Sequence, residues 1–100
     1  MNTDRHSVII SADTPRTVRL VTALKSSGRN VKAFCSAEEA LSGLDPATPP
    51  ELIITDLMLP NMDGLKLCRL LRSQSYRAFQ RTPILVIAAM VNGEYTARTL

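Results

Sequence analysis

Two aspartates stand where chemistry is feasible. Asp13 follows a short apolar run, residues 7–11 (SVIIS), and Asp56 ends another, residues 52–55 (LIIT). Two carboxylates converging in one cleft repel each other, and a hard divalent cation such as Mg²⁺ relieves that repulsion through oxygen ligands and retained waters. A carboxylate beside such an ion can also attack an activated phosphoryl group and form an acyl phosphate. The plainer alternative is that each aspartate caps the helix or turn that follows it. Other reactive residues read as structural: His6 as a surface residue, Cys35 and Cys68 as packing residues, Met62 and Met90 as space fillers. With Met58 two residues after Asp56, the second acid that aspartate-based phosphatases use is missing. The four glycines are spread along the chain, so no glycine-rich phosphate loop is formed.

The elements that would carry the aspartates alternate. Residues 7–11 form a buried-strand pattern, and Thr14-Pro15 opens a helix. Val18, Val21 and Leu24 lie on that helix at helical spacing, with Arg16, Arg19 and Lys25 on other faces and Gly28 at its end. A second strand spans residues 30–34. Ser36-Ala37-Glu38-Glu39 is a capping box for a short helix through Leu41. The third strand, residues 52–55, ends at Asp56. Beyond the turn from Pro60 to Gly64, the positions Leu65, Cys68 and Leu71 mark a third helix. Pro83 precedes a fourth strand over residues 84–87, Asn92-Gly93 breaks the chain, and residues 94–100 begin a helix that the sequence does not finish. Apolar strands separated by helices predict a doubly wound parallel α/β sheet. Such sheets hold their sites beyond the carboxyl ends of the strands, here at residues 11–13, 56–58 and 88–89.

Composition narrows the functional class. One hundred residues, 45% hydrophobic and 21% charged, make one small domain with a core of Leu, Ile, Val and Ala. The longest apolar run, residues 84–91, is far short of the ~20 residues that cross a bilayer, and the polar start MNTDRHS does not read as a signal peptide. Two cysteines form neither a disulfide framework nor metal-site spacing. A reduced, cytoplasmic protein without a membrane partner is expected. The net charge of +3 comes from scattered basic residues without interleaved aromatics, so direct nucleic-acid binding is not expected either.

The segment from Pro50 to Gly64, PELIITDLMLPNMDG, strongly resembles the phosphoacceptor segment of bacterial response-regulator receiver domains. In that family an apolar strand ends in the acceptor Asp, proline follows four residues on, and Asp-Gly opens the next helix. Ser11-Ala12-Asp13-Thr14-Pro15 is similar to the end of the family's first strand, and residues 36–41 resemble its second helix. The resemblance implies a flavodoxin-like (CheY-like) sheet of order 2-1-3-4, truncated before the fifth strand, with residues 1–100 forming a receiver domain incomplete at the C-terminus. It also implies phosphorelay signalling: Asp56 accepts a phosphoryl group from a sensor histidine kinase or phosphotransfer protein. Asp13, Asp56 and the backbone carbonyl of Met58 would hold Mg²⁺. This is phosphoacceptor chemistry without turnover, so the chain is not expected to be an enzyme.

Three departures weaken that implication. Ala12 stands where the family carries the first acid of a pair, so Mg²⁺ is expected to bind weakly. Ala88 aligns with the family's switch hydroxyl, and the family's Lys after a fifth strand has no counterpart. A hydrogen bond to a charged group is worth about 1.5–3 kcal/mol. Losing both partners forfeits ~3–6 kcal/mol, against the ~5.5 kcal/mol that inverts a 1:99 equilibrium. The alternative is therefore a degenerate receiver, a phosphorylation-independent interaction or dimerisation module. A fourth strand left as an open edge, with an uncovered first helix, also predicts a homodimer or domain-swapped assembly.

Overall fold

The computed structural model describes residues 5–89 and 95–100. The break expected at Asn92-Gly93 and the packing expected of Met90 lie outside the described residues. In chain order the elements are β1 (His6–Ile10), α1 (Thr14–Ser26), β2 (Asn30–Phe34), α2 (Ala37–Gly43), β3 (Leu52–Asp56), α3 (Gly64–Leu71), a 3-10 stretch Gln74–Phe79, β4 (Ile84–Ala89) and β5 (Tyr95–Thr99). One sheet of order β2-β1-β3-β4-β5 results. Its first four strands are parallel, in the expected doubly wound arrangement.

The end of the chain differs from expectation. Residues 95–99 form a strand, not a helix, and pair antiparallel with β4 from Leu85↔Thr99 to Ala89↔Tyr95. The sheet is thus not truncated before a fifth strand, and β4 is not an edge. Tyr95, Thr96 and Thr99 suit a pleated surface, and pairing satisfies the backbone groups along the outer side of β4. β5 carries no lysine, and all five of its residues are exposed.

Local chemistry accounts for the helices. The Asp13 side chain accepts the Arg16 N–H at 3.0 Å at the start of α1. Ser36 accepts the Glu39 N–H at 3.1 Å, and Glu39 returns a bond to the Cys35 N–H, so the capping box closes one residue early. Asp63 accepts the Lys66 N–H at 2.8 Å to open α3. Ahead of it, Asn61 adopts φ 68°, a left-handed conformation that asparagine tolerates.

Val8, Ile10, Ile53, Ile84 and Val86 form one face of the sheet and pack on Leu67, Cys68 and Leu71 of α3 and on Ala37 and Ala40 of α2. On α3 the inward stripe is Gly64, Leu67, Cys68 and Leu71, leaving Leu65 exposed. α1 packs against β1 and β2 on the opposite face. Its stripe is also displaced from the expected one: Arg16, Leu20, Val21 and Leu24 are half-buried, whereas Val18 is 58% exposed. His6 is buried, not superficial, because it starts β1 inside the sheet, paired with Asn30, and its carbonyl accepts the Glu51 N–H. Cys35 is exposed at the end of β2 and packs no core. Cys68 is buried, and that burial pushes its thiol pKa up, with nearby Arg72 opposing. Among the described residues, no helix is long and apolar enough to cross a membrane.

Gly64 fixes the approach of α3 to β3. Its N–H donates to the Leu57 carbonyl at 2.8 Å, and a Cβ there would collide with the Asp56 carbonyl oxygen and come within 3.2 Å of the Asp56 carbonyl carbon. Backbone atoms cannot rotate away. Gly64→Ala is expected to lower stability by about 1–3 kcal/mol, read as a reduced urea midpoint with unchanged slope.

Candidate functional site

Parallel pairing sets the site. β1 and β3 are neighbours with Ile10 opposite Thr55, so Ser11 and Asp56 leave the sheet side by side. β3 and β4 are neighbours with Asp56 opposite Ile87. Beyond these carboxyl ends lies a cleft of about 640 Å³ whose walls include Ala12, Asp13, Arg16, Asp56, Met58 and Ala89. Asp13, Asp56 and Met58 therefore share one cavity. Ala88 does not line it. Ala88 lines a neighbouring cavity with Leu57, Leu65 and Val86, because Ile87 and Ala89 occupy the strand face that the cleft sees.

The carboxylates are already partnered. Asp56 is 5% exposed. Its Oδ2 accepts the Ser11 hydroxyl at 2.6 Å, and its Oδ1 accepts Arg16 Nη1 at 2.5 Å. Asp13 Oδ1 caps α1, and Asp13 Oδ2 lies 3.6 Å from Arg16 Nη2. The guanidinium thus spans both acids. Ser11 also ties them together, since its oxygen accepts the Asp13 N–H at 3.1 Å while its proton goes to Asp56.

A third element joins from β5. The Arg16 guanidinium carbon lies 4.6 Å from the centre of the Tyr95 ring, a cation–π contact. The pKa of Arg16 is raised, most by hydrogen bonding with Tyr95, then by Asp56 and Asp13, against the cost of its own burial. Arg16 stays cationic at every working pH.

Mg²⁺ fits this arrangement poorly. It demands near-octahedral oxygens at about 2.0–2.1 Å. Each carboxylate oxygen of Asp13 and Asp56 instead faces a donor or the guanidinium. Among the described residues, no group of three or more His, Cys, Asp or Glu side chains is placed to hold a metal. Sequence reasoning missed Arg16 and Tyr95, and weighed Ser11 only as part of a strand end. A signal for Arg16 did exist: it lies four and eight residues before Leu20 and Leu24, on the true inward stripe of α1.

The response regulator receiver domain profile matches residues 8–100. The chain belongs to that family. Receivers are signalling modules of two-component systems, and this one has similar relatives of known role. The transcriptional regulatory protein BaeR of Escherichia coli is 32% identical over 90 residues, covering 90% of this chain and 35% of that protein. The N-terminal domain of a response regulator receiver protein from Methanoculleus marisnigri superposes with a TM-score of 0.76 at 27% identity, over 85% of this chain and 67% of that one. The chemotaxis response regulator CheY4 of Vibrio cholerae shares the fold, with a TM-score of 0.73 at 22% identity, over 87% of this chain and 70% of that one. This receiver spans between 6% and 59% of the length of the curated relatives it matches, about a third in the case of BaeR.

Removing the cation should be costly. Asp56 has 6% side-chain exposure and Arg16 has 13%, so Arg16→Ala leaves a buried carboxylate with only Ser11. A loss of about 3 kcal/mol is expected, seen in urea denaturation. Arg16→Lys should recover less than half of it, because one ammonium cannot span both acids.

Proposed function

We propose that this receiver accepts a phosphoryl group on Asp56 from a phosphohistidine of a sensor histidine kinase or phosphotransfer protein, in the cytoplasm. The observation that carries this reading is the position of Asp56. It sits at the carboxyl end of β3, in the cleft, against a guanidinium fork. An Asp56 oxygen attacks phosphorus, the P–O bond of an acyl phosphate forms as the P–N bond breaks, and the departing imidazole nitrogen keeps the electron pair and takes a proton. Arg16 offers a partner for the incoming charge. Its buried Nε has no hydrogen-bond partner among the described residues, and a phosphoryl oxygen is the kind of acceptor it lacks. Weak Mg²⁺ binding at Asp13, Asp56 and the Met58 carbonyl would require the guanidinium to leave, and no step above depends on it.

A second reading is favoured by the same saturation of the carboxylates. With each oxygen partnered, and with Ala12 and Ala88 in place of an acid and a hydroxyl, the domain serves as a phosphorylation-independent interaction module. Self-association through the outer edge of β5 and the uncovered face of α1 around Val18 belongs with it. Sedimentation velocity is expected to show a dimer, and a single monomer boundary would remove that part.

Acetyl phosphate and intact mass separate the two readings. The first expects one phosphoryl adduct on the native chain and none on Asp56→Asn. Absence of the adduct from both proteins overturns the first and supports the second.

A further inference from the structure

We propose that Arg16 is the resident cation of the Asp13–Asp56 cleft, standing where a divalent ion would need to be, so that half of the acids' charge is cancelled from within and divalent ions are disfavoured. Three observations converge. The guanidinium lies between the two acids, 2.5 Å from Asp56 Oδ1 and 3.6 Å from Asp13 Oδ2. Ala12 contributes no third carboxylate to the cleft wall. And Arg16 is held from three elements: its backbone N–H by Asp13 at the start of α1, its Nη1 by Asp56 of β3, and its ring-facing side by Tyr95 of β5.

The physical argument is a competition between two cations for one pair of acids. A divalent ion arrives from solution, must shed water, and meets a positive charge already in place. Arg16 is tethered a single helical turn from Asp13, so its effective concentration at the acids is far above that of any free ion. Its fork also matches carboxylate oxygens in a way a compact ion does not. Charge relief that elsewhere calls for a bound metal is here supplied in part by the chain itself. With the guanidinium gone, the two carboxylates face each other without a counter-ion, and a divalent ion becomes the available remedy.

The test uses Mn²⁺ alone as the probe, followed by water-proton relaxation, with Mg²⁺ added as competitor. No phosphodonor is present, so the result is separate from whether Asp56 accepts a phosphoryl group. The native chain is expected to show no saturable Mn²⁺ site. Arg16→Gln, which keeps a polar but shorter and uncharged side chain, gains one, at least about tenfold tighter than any residual binding to the native chain, the change that ~1.4 kcal/mol produces. That site is tightened again by Ala12→Asp and lost when Asp56→Asn is added. Arg16→Lys, still positive, gains none. Tyr95→Ala keeps Arg16 and removes the ring beneath it. It gains part of the effect, and serves if Arg16→Gln does not fold. Native binding as tight as that of Arg16→Gln overturns the proposal, and so does a folded Arg16→Gln that gains nothing.

Discussion

The site depends on two acids standing in one cleft and on the single charge that lets them do so. Asp13 and Asp56 are 43 residues apart in the chain, and the parallel pairing of β1 with β3 brings them together. Repulsion between them needs an answer inside the cleft, and Arg16 supplies it by reaching back from the first turn of α1. Buried ion pairs contribute little net stability when desolvation is counted. The importance of this one is positional: it holds Asp56 in a defined orientation, with Ser11 on one oxygen and Arg16 on the other.

β5 changes what the rest of the sheet can do. A single antiparallel edge strand on a parallel sheet is a common arrangement. Here it closes the outer side of β4 and brings Tyr95 opposite Ala89, next to the guanidinium. The state of the acidic cleft is therefore connected to the last strand through one side chain. Ala88, on the other face of β4, opens on a cavity bordered by Thr96, Arg98 and Leu100.

Much of the architecture was legible in one dimension. Apolar runs on both faces of β1 and β3, the capping box at Ser36, and the proline and glycine punctuation announced alternating strands and helices. The register between β1, β3 and β4 came only from the structure. Three errors had specific causes. The stripe of α1 was read through Val18, Val21 and Leu24, a purely three-residue spacing that drifts around the helix. The true stripe mixes steps of three and four, and it takes Arg16 inward. Residues 95–99 were read as helix because strands and helices had alternated until then, although Tyr95, Thr96 and Thr99 favour a strand. His6 looked superficial because its neighbours in the chain are polar, yet it begins a strand with Asn30 paired beside it.

The sequence by itself determined the alternating plan, the Ser36 capping box, and which aspartates could stand at the strand ends, because these rest on short-range periodicity and hydrogen bonds between near neighbours. It also determined what was missing at Ala12. Tertiary structure alone decided which cation answers the two acids, which face of β4 borders them, and that a tyrosine from the last strand lies under Arg16. Those choices depend on contacts between residues far apart in the chain, and on the long, flexible arginine side chain, whose direction no local pattern specifies.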